Sequence, residues 1–170
     1  MASRQGQVPS AAGGDHTGEA SDSAPAAVVV RFLDGWRTSL DGAADFLAPG
    51  AKWMNNSLPA VRGRERIRKV VRALEWINTE VDVYVHTISV EGSTVMTERT
   101  DVLTWGPMRV QFWVCGRFDV EKGQIVYWQD YFDYLTLLAA TARGLLGVFV
   151  PAARPKPPPG DWSGGITGPR

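Results

Sequence analysis

Near residue 80 the spacing of apolar residues changes, from a recurrence every three or four positions to strict alternation. Before that point Val28, Val29, Phe32, Leu33 and Trp36 fall on one helical face, behind Ser23 as a candidate N-cap and Pro25 in the first turn. A short second helix around residues 43–47 should stop at Ala48-Pro49-Gly50. Residues 52–55 read as a short strand or loop edge, broken by Pro59 and Gly63. Residues 64–77 then predict an amphipathic helix, with Ile67, Val70, Val71, Leu74 and Ile77 as its buried stripe. Arg62, Arg66, Arg68, Lys69 and Arg72 lie off that stripe. Beyond it, alternation predicts strands at 81–90, 94–105, 109–120 and 125–134. The short turns Glu91-Gly92-Ser93, Gly106-Pro107 and Glu121-Lys122-Gly123 join them as an antiparallel meander. A final Leu- and Ala-rich helix spans about residues 135–148. Helices followed by long hairpin strands make the fold α+β, a curved antiparallel or mixed sheet with the N-terminal helices packed in its concave face.

Composition trims this picture at both ends. Residues 1–23 hold no Phe, Tyr, Trp, Leu or Ile, and residues 151–170 carry most of the chain's 11 prolines, so both read as disordered tails around one domain at 24–150. At 170 residues and 44% hydrophobic content a single core is the expectation. Eighteen basic residues balance 18 acidic ones, which argues against nucleic acid as a partner and points to a small uncharged one. The single cysteine, Cys115, excludes an internal disulfide and any thiolate metal cluster. No early apolar run is long enough for a signal peptide or a membrane span, so the reading is a cytoplasmic protein with no membrane insertion.

Charge on the strands is the informative departure from pattern. Alternation puts Val95, Thr97, Arg99, Asp101, Leu103 and Trp105 on one face, and Val126, Trp128, Asp130 and Phe132 on one face of the last strand. Asp101 and Asp130 therefore stand in apolar rows, where an unpaired carboxylate is costly to bury. If the two strands converge, the fork of donors on Arg99 can bridge both. Such a triad can divide the opening of a strained ring by water between a protonated carboxyl as acid and an ionised one as base. Burial raises each carboxyl pKa while the arginine lowers it, so spacing alone assigns neither role.

Three stretches carry a family likeness: Thr97-Glu98-Arg99-Thr100-Asp101-Val102-Leu103, Gly106-Pro107-Met108-Arg109-Val110-Gln111-Phe112-Trp113-Val114-Cys115-Gly116 and Trp128-Gln129-Asp130-Tyr131-Phe132-Asp133. With them, residues 26–150 resemble the limonene-1,2-epoxide hydrolases, small enzymes of the SnoaL-like, nuclear-transport-factor-2-like superfamily. The middle stretch is most similar to actinobacterial, mycobacterial-type members. The resemblance implies a cone-shaped fold and one-step hydrolysis of a lipophilic epoxide to a vicinal diol, with no covalent intermediate, metal or cofactor. It implies Asp101 as general acid, Asp130 as general base and Arg99 as the bridging cation. The family positions its water with a Tyr-x-Asn pattern, at whose place Trp53-Met54-Asn55 stands here. Asn55 carries over, because its amide both accepts and donates, whereas the indole of Trp53 only donates. Leu74, Leu103, Phe112, Val114 and Phe132 would line the substrate pocket in this fold.

Other groups invite plainer readings. Glu98 and Asp133 fall on the opposite strand faces and read as solvated, Cys115 as a strand core residue, and the arginines of the middle helix as a solvated face. His16 and His86 have no serine or cysteine partner in recognisable context. Two functional alternatives remain: an epoxide-opening cyclase that uses the substrate's own hydroxyl, and a non-catalytic ligand-binding member of the fold. Apolar content on the sheet and last helix suggests a homodimer in either case.

Overall fold

The computed structural model describes residues 24–56, 58–76, 79–156 and 158, apart from the side chains at 74 and 75. Helix α1 (Pro25–Thr38) begins with Pro25, whose fixed φ and missing N–H suit a first turn. Its N-cap is Ala24, which makes no side-chain capping bond; the expected cap, Ser23, lies outside the described residues. Ser39 caps the short α2 (Leu40–Ala43) by accepting from the Gly42 N–H at 3.0 Å, and a 3-10 turn follows at Ala44–Phe46.

The expected helix at 43–47 is thus shifted toward the N-terminus, and Ala48-Pro49-Gly50 do not end it. They lie within strand β1 (Leu47–Asn55), whose register slips between Leu47 and Lys52. Proline is tolerated there because a bulge frees its missing N–H from the ladder. After β2 (Val61–Arg62), helix α3 (Arg64–Trp76) buries Ile67 and Val71. Val70, expected on that stripe, is 45% exposed, since it lies on the flank of the i, i+4 line that Ile67 and Val71 define. Ile77 lies outside the described residues.

Strands β3 (Glu80–Glu91), β4 (Thr94–Trp105), β5 (Met108–Glu121) and β6 (Gln124–Tyr131) form the expected meander. The sheet order is β2-β1-β6-β5-β4-β3, with β1 parallel to β6 and every other pairing antiparallel. Strand β6 ends at Tyr131, three residues earlier than alternation predicts. Asp133 turns the chain out of the sheet: its carboxylate accepts from the N–H groups of Leu135 and Thr136 at 2.6 and 3.2 Å and caps α4 (Tyr134–Phe149).

The core lies between α1, α3 and one face of the sheet. Val28, Val29, Phe32 and Leu33 meet Val81, Val83, Val95, Phe118, Val120 and Ile125 there. Each such buried side chain contributes about 1.5–3 kcal/mol. Trp128 is its centre: Trp53 stacks on it at 4.7 Å, while Phe32 and Trp36 meet it edge-on at 5.1 and 5.3 Å.

Helix α4 sits on β5 through a glycine. A Cβ at Gly144 would lie 2.5 Å from the Arg109 carbonyl oxygen, so only hydrogen allows this approach. The stretch from residue 151, read from sequence as the start of a tail, instead opens with a 3-10 turn at Pro151–Ala153. Arg143 donates to the Ala153 carbonyl, Arg154 to that of Gly147, and Pro155 is buried. Replacing Gly144→Ala is expected to cost about 1–3 kcal/mol by overpacking, read as a lower urea midpoint at unchanged slope. An unchanged midpoint would show that α4 does not rest on this contact.

Candidate active site

Ladder register brings the charged residues together. On β4, β5 and β6, Thr97 stands opposite Gly116 and Gly116 opposite Asp130; Arg99 pairs with Val114 and Asp101 with Phe112. Residues directly opposite share a face, so these side chains all rise on the side that carries the core. On the parallel neighbour, Trp53 is level with Trp128 and Asn55 with Asp130. The separate expectations for β1, β4 and β6 thereby meet in one place.

Arg99 is 2% exposed and spreads its donors over this face. Its Nε donates to Asp101 Oδ1 at 2.9 Å, and its Nη2 to Asp101 Oδ2 at 3.3 Å and to Asp130 Oδ1 at 2.7 Å. Its Nη1 reaches the buried Thr97 Oγ1 at 3.4 Å. The fork therefore bridges both carboxylates, as the sequence reading anticipates. A lone buried cation would be prohibitive; two partners and charge-assisted bonds offset its desolvation.

The electrostatics follow from this enclosure. Burial opposes the Arg99 charge, but Asp101 and Asp130 more than compensate and hold its pKa above the usual arginine value. For Asp101 burial dominates and raises the pKa, the nearby Asp130 adds to the rise, and Arg99 opposes it. A carboxyl so placed keeps its proton to higher pH than a free aspartate, which suits it to donate one.

Two buried polar atoms on this end of β1 have no hydrogen-bond partner in the protein: Nε1 of Trp53, the residue level with Trp128, and Oδ1 of Asn55, the residue level with Asp130. One is a donor and the other an acceptor. Asn56 holds this end of β1 in place: its N–H donates to the Asp130 carbonyl at 3.2 Å and its side-chain amide to that of Phe132. It adopts φ 34°, a left-handed conformation that asparagine accepts more readily than most residues.

Of the expected pocket residues, Val114 is buried beside Arg99 and Leu103 packs partly buried against the core. Phe112 meets Phe132 edge-on at 5.7 Å; Phe132 lies just past the end of β6 rather than within it. Leu74 is on α3, but its side chain is outside the described set. An open groove of about 440 Å³, lined by Asn56, Trp113, Tyr131, Phe132, Asp133, Tyr134 and Leu135, contains none of the triad. Glu98 is exposed on the other sheet face and accepts from Trp113 Nε1. Sequence reasoning passed over Thr97, Gly116 and Asn56. The one available signal was a glycine inside an apolar strand, which marks a close approach. Among the described residues no group of three or more His, Cys, Asp or Glu is placed to hold a metal ion.

Comparison with known proteins adds three findings. A family model described as the limonene-1,2-epoxide hydrolase catalytic domain matches residues 23–143. The chain is 40% identical over 100 residues to epoxide hydrolase EphG of Mycobacterium tuberculosis; the alignment spans 59% of this chain and 66%, just under two thirds, of that protein. It superposes on the structure of an M. tuberculosis LEH-like epoxide hydrolase with TM-score 0.71 and 35% identity, over 76% of this chain and 92% of the other. A protein of ketosteroid isomerase-like fold from Catenulispora acidiphila matches with TM-score 0.61 at 17% identity, covering 68% of this chain and 92% of that one, a likeness in fold alone. The expected architecture, a curved mixed sheet holding helices in the nuclear-transport-factor-2-like manner, is the one observed.

Arg99→Met is expected to destabilise the fold by about 3–5 kcal/mol near neutral pH, because it leaves the buried negative charge of the Asp101–Asp130 pair without its cation. The loss should shrink in acid, where the pair, in which burial already raises the pKa of Asp101, is neutralised and leaves no unpaired charge. Urea denaturation of both proteins at neutral and acid pH reads this difference; an equal loss at the two would contradict it.

Proposed function

The chain belongs to the limonene-1,2-epoxide hydrolase family, and we propose that it adds one water molecule to a lipophilic epoxide, terpenoid, aryl or sterol-like, to give a vicinal diol. The observation that carries this reading is the buried Arg99 fork joining Asp101 and Asp130 on the face of the sheet that carries the apolar core. Asp130, ionised, takes a proton from water as the water oxygen attacks a ring carbon. The carbon–oxygen bond breaks, and Asp101 delivers its proton to the leaving oxygen. One proton has entered the pair and one has left, so the site needs only a proton exchange to begin again. The bonds made and broken require no covalent intermediate and no cofactor.

Trp53 fits this scheme despite replacing the family's tyrosine. A water held by Asn55 Oδ1, Asp130 and Trp53 Nε1 would donate two hydrogen bonds and accept one. Its second lone pair would then be free to attack. The donor-only indole thus fixes the water's orientation, where a phenol could either donate or accept. Leu103, Phe112, Val114 and Phe132, with Leu74 from α3, would hold the substrate's carbon skeleton.

The exposed apolar residues of α4, among them Leu135 at 76%, Leu138 at 66% and Phe149 at 83%, support a homodimer formed across this face. Among the described residues no helix is long and apolar enough to cross a membrane. We place the protein in the cytoplasm, acting on a substrate that partitions out of water.

Asp101→Asn and Asp130→Asn should each lower kcat by about 10²–10⁴-fold on terpene, aryl and steroid epoxides. Either variant at full activity would reject the site. In ¹⁸O-labelled water the diol should gain one solvent oxygen; a ring-closed product with none would identify intramolecular opening instead. Trp53→Tyr should retain turnover and Trp53→Phe lose most of it, since only the first keeps a donor.

A further inference from the structure

A glycine interrupts β5 at the point where the sheet is most crowded. Gly116 is absent from the glycines with positive φ, and its pairing with Thr97 and Asp130 is regular, so the backbone there makes no conformational demand for glycine. Inside a strand glycine weakens the sheet, and its presence calls for a reason of space. A Cβ at this position would fall well inside van der Waals contact of Arg99 Nη1, and would lie 2.7 Å from Thr97 Oγ1 and 2.9 Å from Phe118 Cε2.

We infer that Gly116 and Thr97 form the seat of the Arg99 guanidinium and act as positioning residues for the proposed epoxide opening, a reading on which this inference rests. Gly116 leaves the room that Nη1 occupies, and Thr97 receives that nitrogen through its hydroxyl. Seated this way, Nη2 lies between the two carboxylates and reaches Asp130 at 2.7 Å.

Adding a methyl at Gly116 shows which part must yield. Phe118 is fully buried and is wedged against Phe32 and Trp128, and Thr97 is 2% exposed, so neither has space behind it. The guanidinium would move off β5 by roughly an ångström to restore normal contact. Asp130 stands directly across from Gly116 on the neighbouring strand, whereas Asp101 is two residues along Arg99's own strand. The displacement therefore loosens the bridge at the base end and spares the acid end. The seat decides whether one cation serves both carboxylates or only the nearer.

The test is G116A, with T97V and T97S as the milder pair. G116A should lower kcat about 10²-fold, the usual consequence of an ångström-scale misplacement, with KM little changed. The acid limb of its kcat profile should move to higher pH, because the carboxyl pair as a whole is then less well served by the cation that favours its negative charge. T97V should shift the same limb by a smaller amount and T97S should restore it, an ordering that loss of packing would not produce. Wild-type kcat and pH limb in G116A, or identical profiles for T97V and T97S, would overturn the seat. Should far-UV circular dichroism show G116A unfolded, the Thr97 pair decides. Carboxyl ¹³C titration by NMR in wild type and variants reads the seat without any substrate. Unchanged titrations overturn the seat, while altered titrations in a protein that opens no epoxide overturn the reaction and leave the seat standing.

Discussion

A guanidinium with 2% exposure organises the centre of this molecule, and much of the surrounding structure exists to make that charge tolerable. Burying a cation costs several kcal/mol unless partners meet it with good geometry. Arg99 obtains those partners from its own strand and from one two strands away, so the stability of the charge and the register of three strands are a single condition. A one-residue slip of β4 against β5 would carry Arg99 to the outer face and leave the aspartates alone. The ladder between them is unbroken from Thr94–Asp119 to Trp105–Met108. The glycine at 116 and the threonine at 97 occur where that ladder passes beneath the charge.

The apolar core supplies the other half of the chemistry. Trp128, packed between Trp53 and Phe118 and met edge-on by Phe32 and Trp36, stands two residues from Asp130 on the same face. Its aromatic wall helps keep water from the pair, which strengthens the arginine's grip. Burial of Asp101 raises its pKa despite the adjacent cation. Core packing and acid strength are therefore linked: the same enclosure that stabilises the fold prepares one carboxyl to hold a proton and presses the other against a cation.

Trp53 is at once packed against the core and a member of the proposed site. As a large stacked ring it completes the aromatic wall, and its indole nitrogen is buried without a protein partner. A tryptophan at this position keeps the hydrogen-bond donation a tyrosine would offer and gives up the acceptance. The latch formed by Asn56 onto the end of β6 explains how a parallel strand with an irregular register still delivers Asn55 to the level of Asp130.

By itself the sequence determined the elements whose cause is local. Period-two alternation placed β4 within its observed bounds, set Arg99 and Asp101 on one face, and put Trp128 and Asp130 together on another. Helical spacing marked the buried face of α1, and the Arg-x-Asp pattern with its second aspartate was legible enough to carry the family likeness. Only the tertiary structure decided what depends on neighbours distant in the chain. Ala48-Pro49-Gly50 look like a stop but join a bulged strand, because β6 supplies a parallel partner that Pro49 does not have to bond. Val70 looks buried but is not, since α3 meets the core along a narrower line than the apolar count allows. The alternation through Phe132 looks like strand, yet Asp133 finds two free N–H groups and caps a helix instead. Gly116 looks incidental along the chain, yet Arg99 Nη1 occupies the space its missing side chain leaves. Side-chain period is a property of consecutive residues and can be read along the chain, whereas register, capping partners and the space beneath a charge arise when separate segments meet.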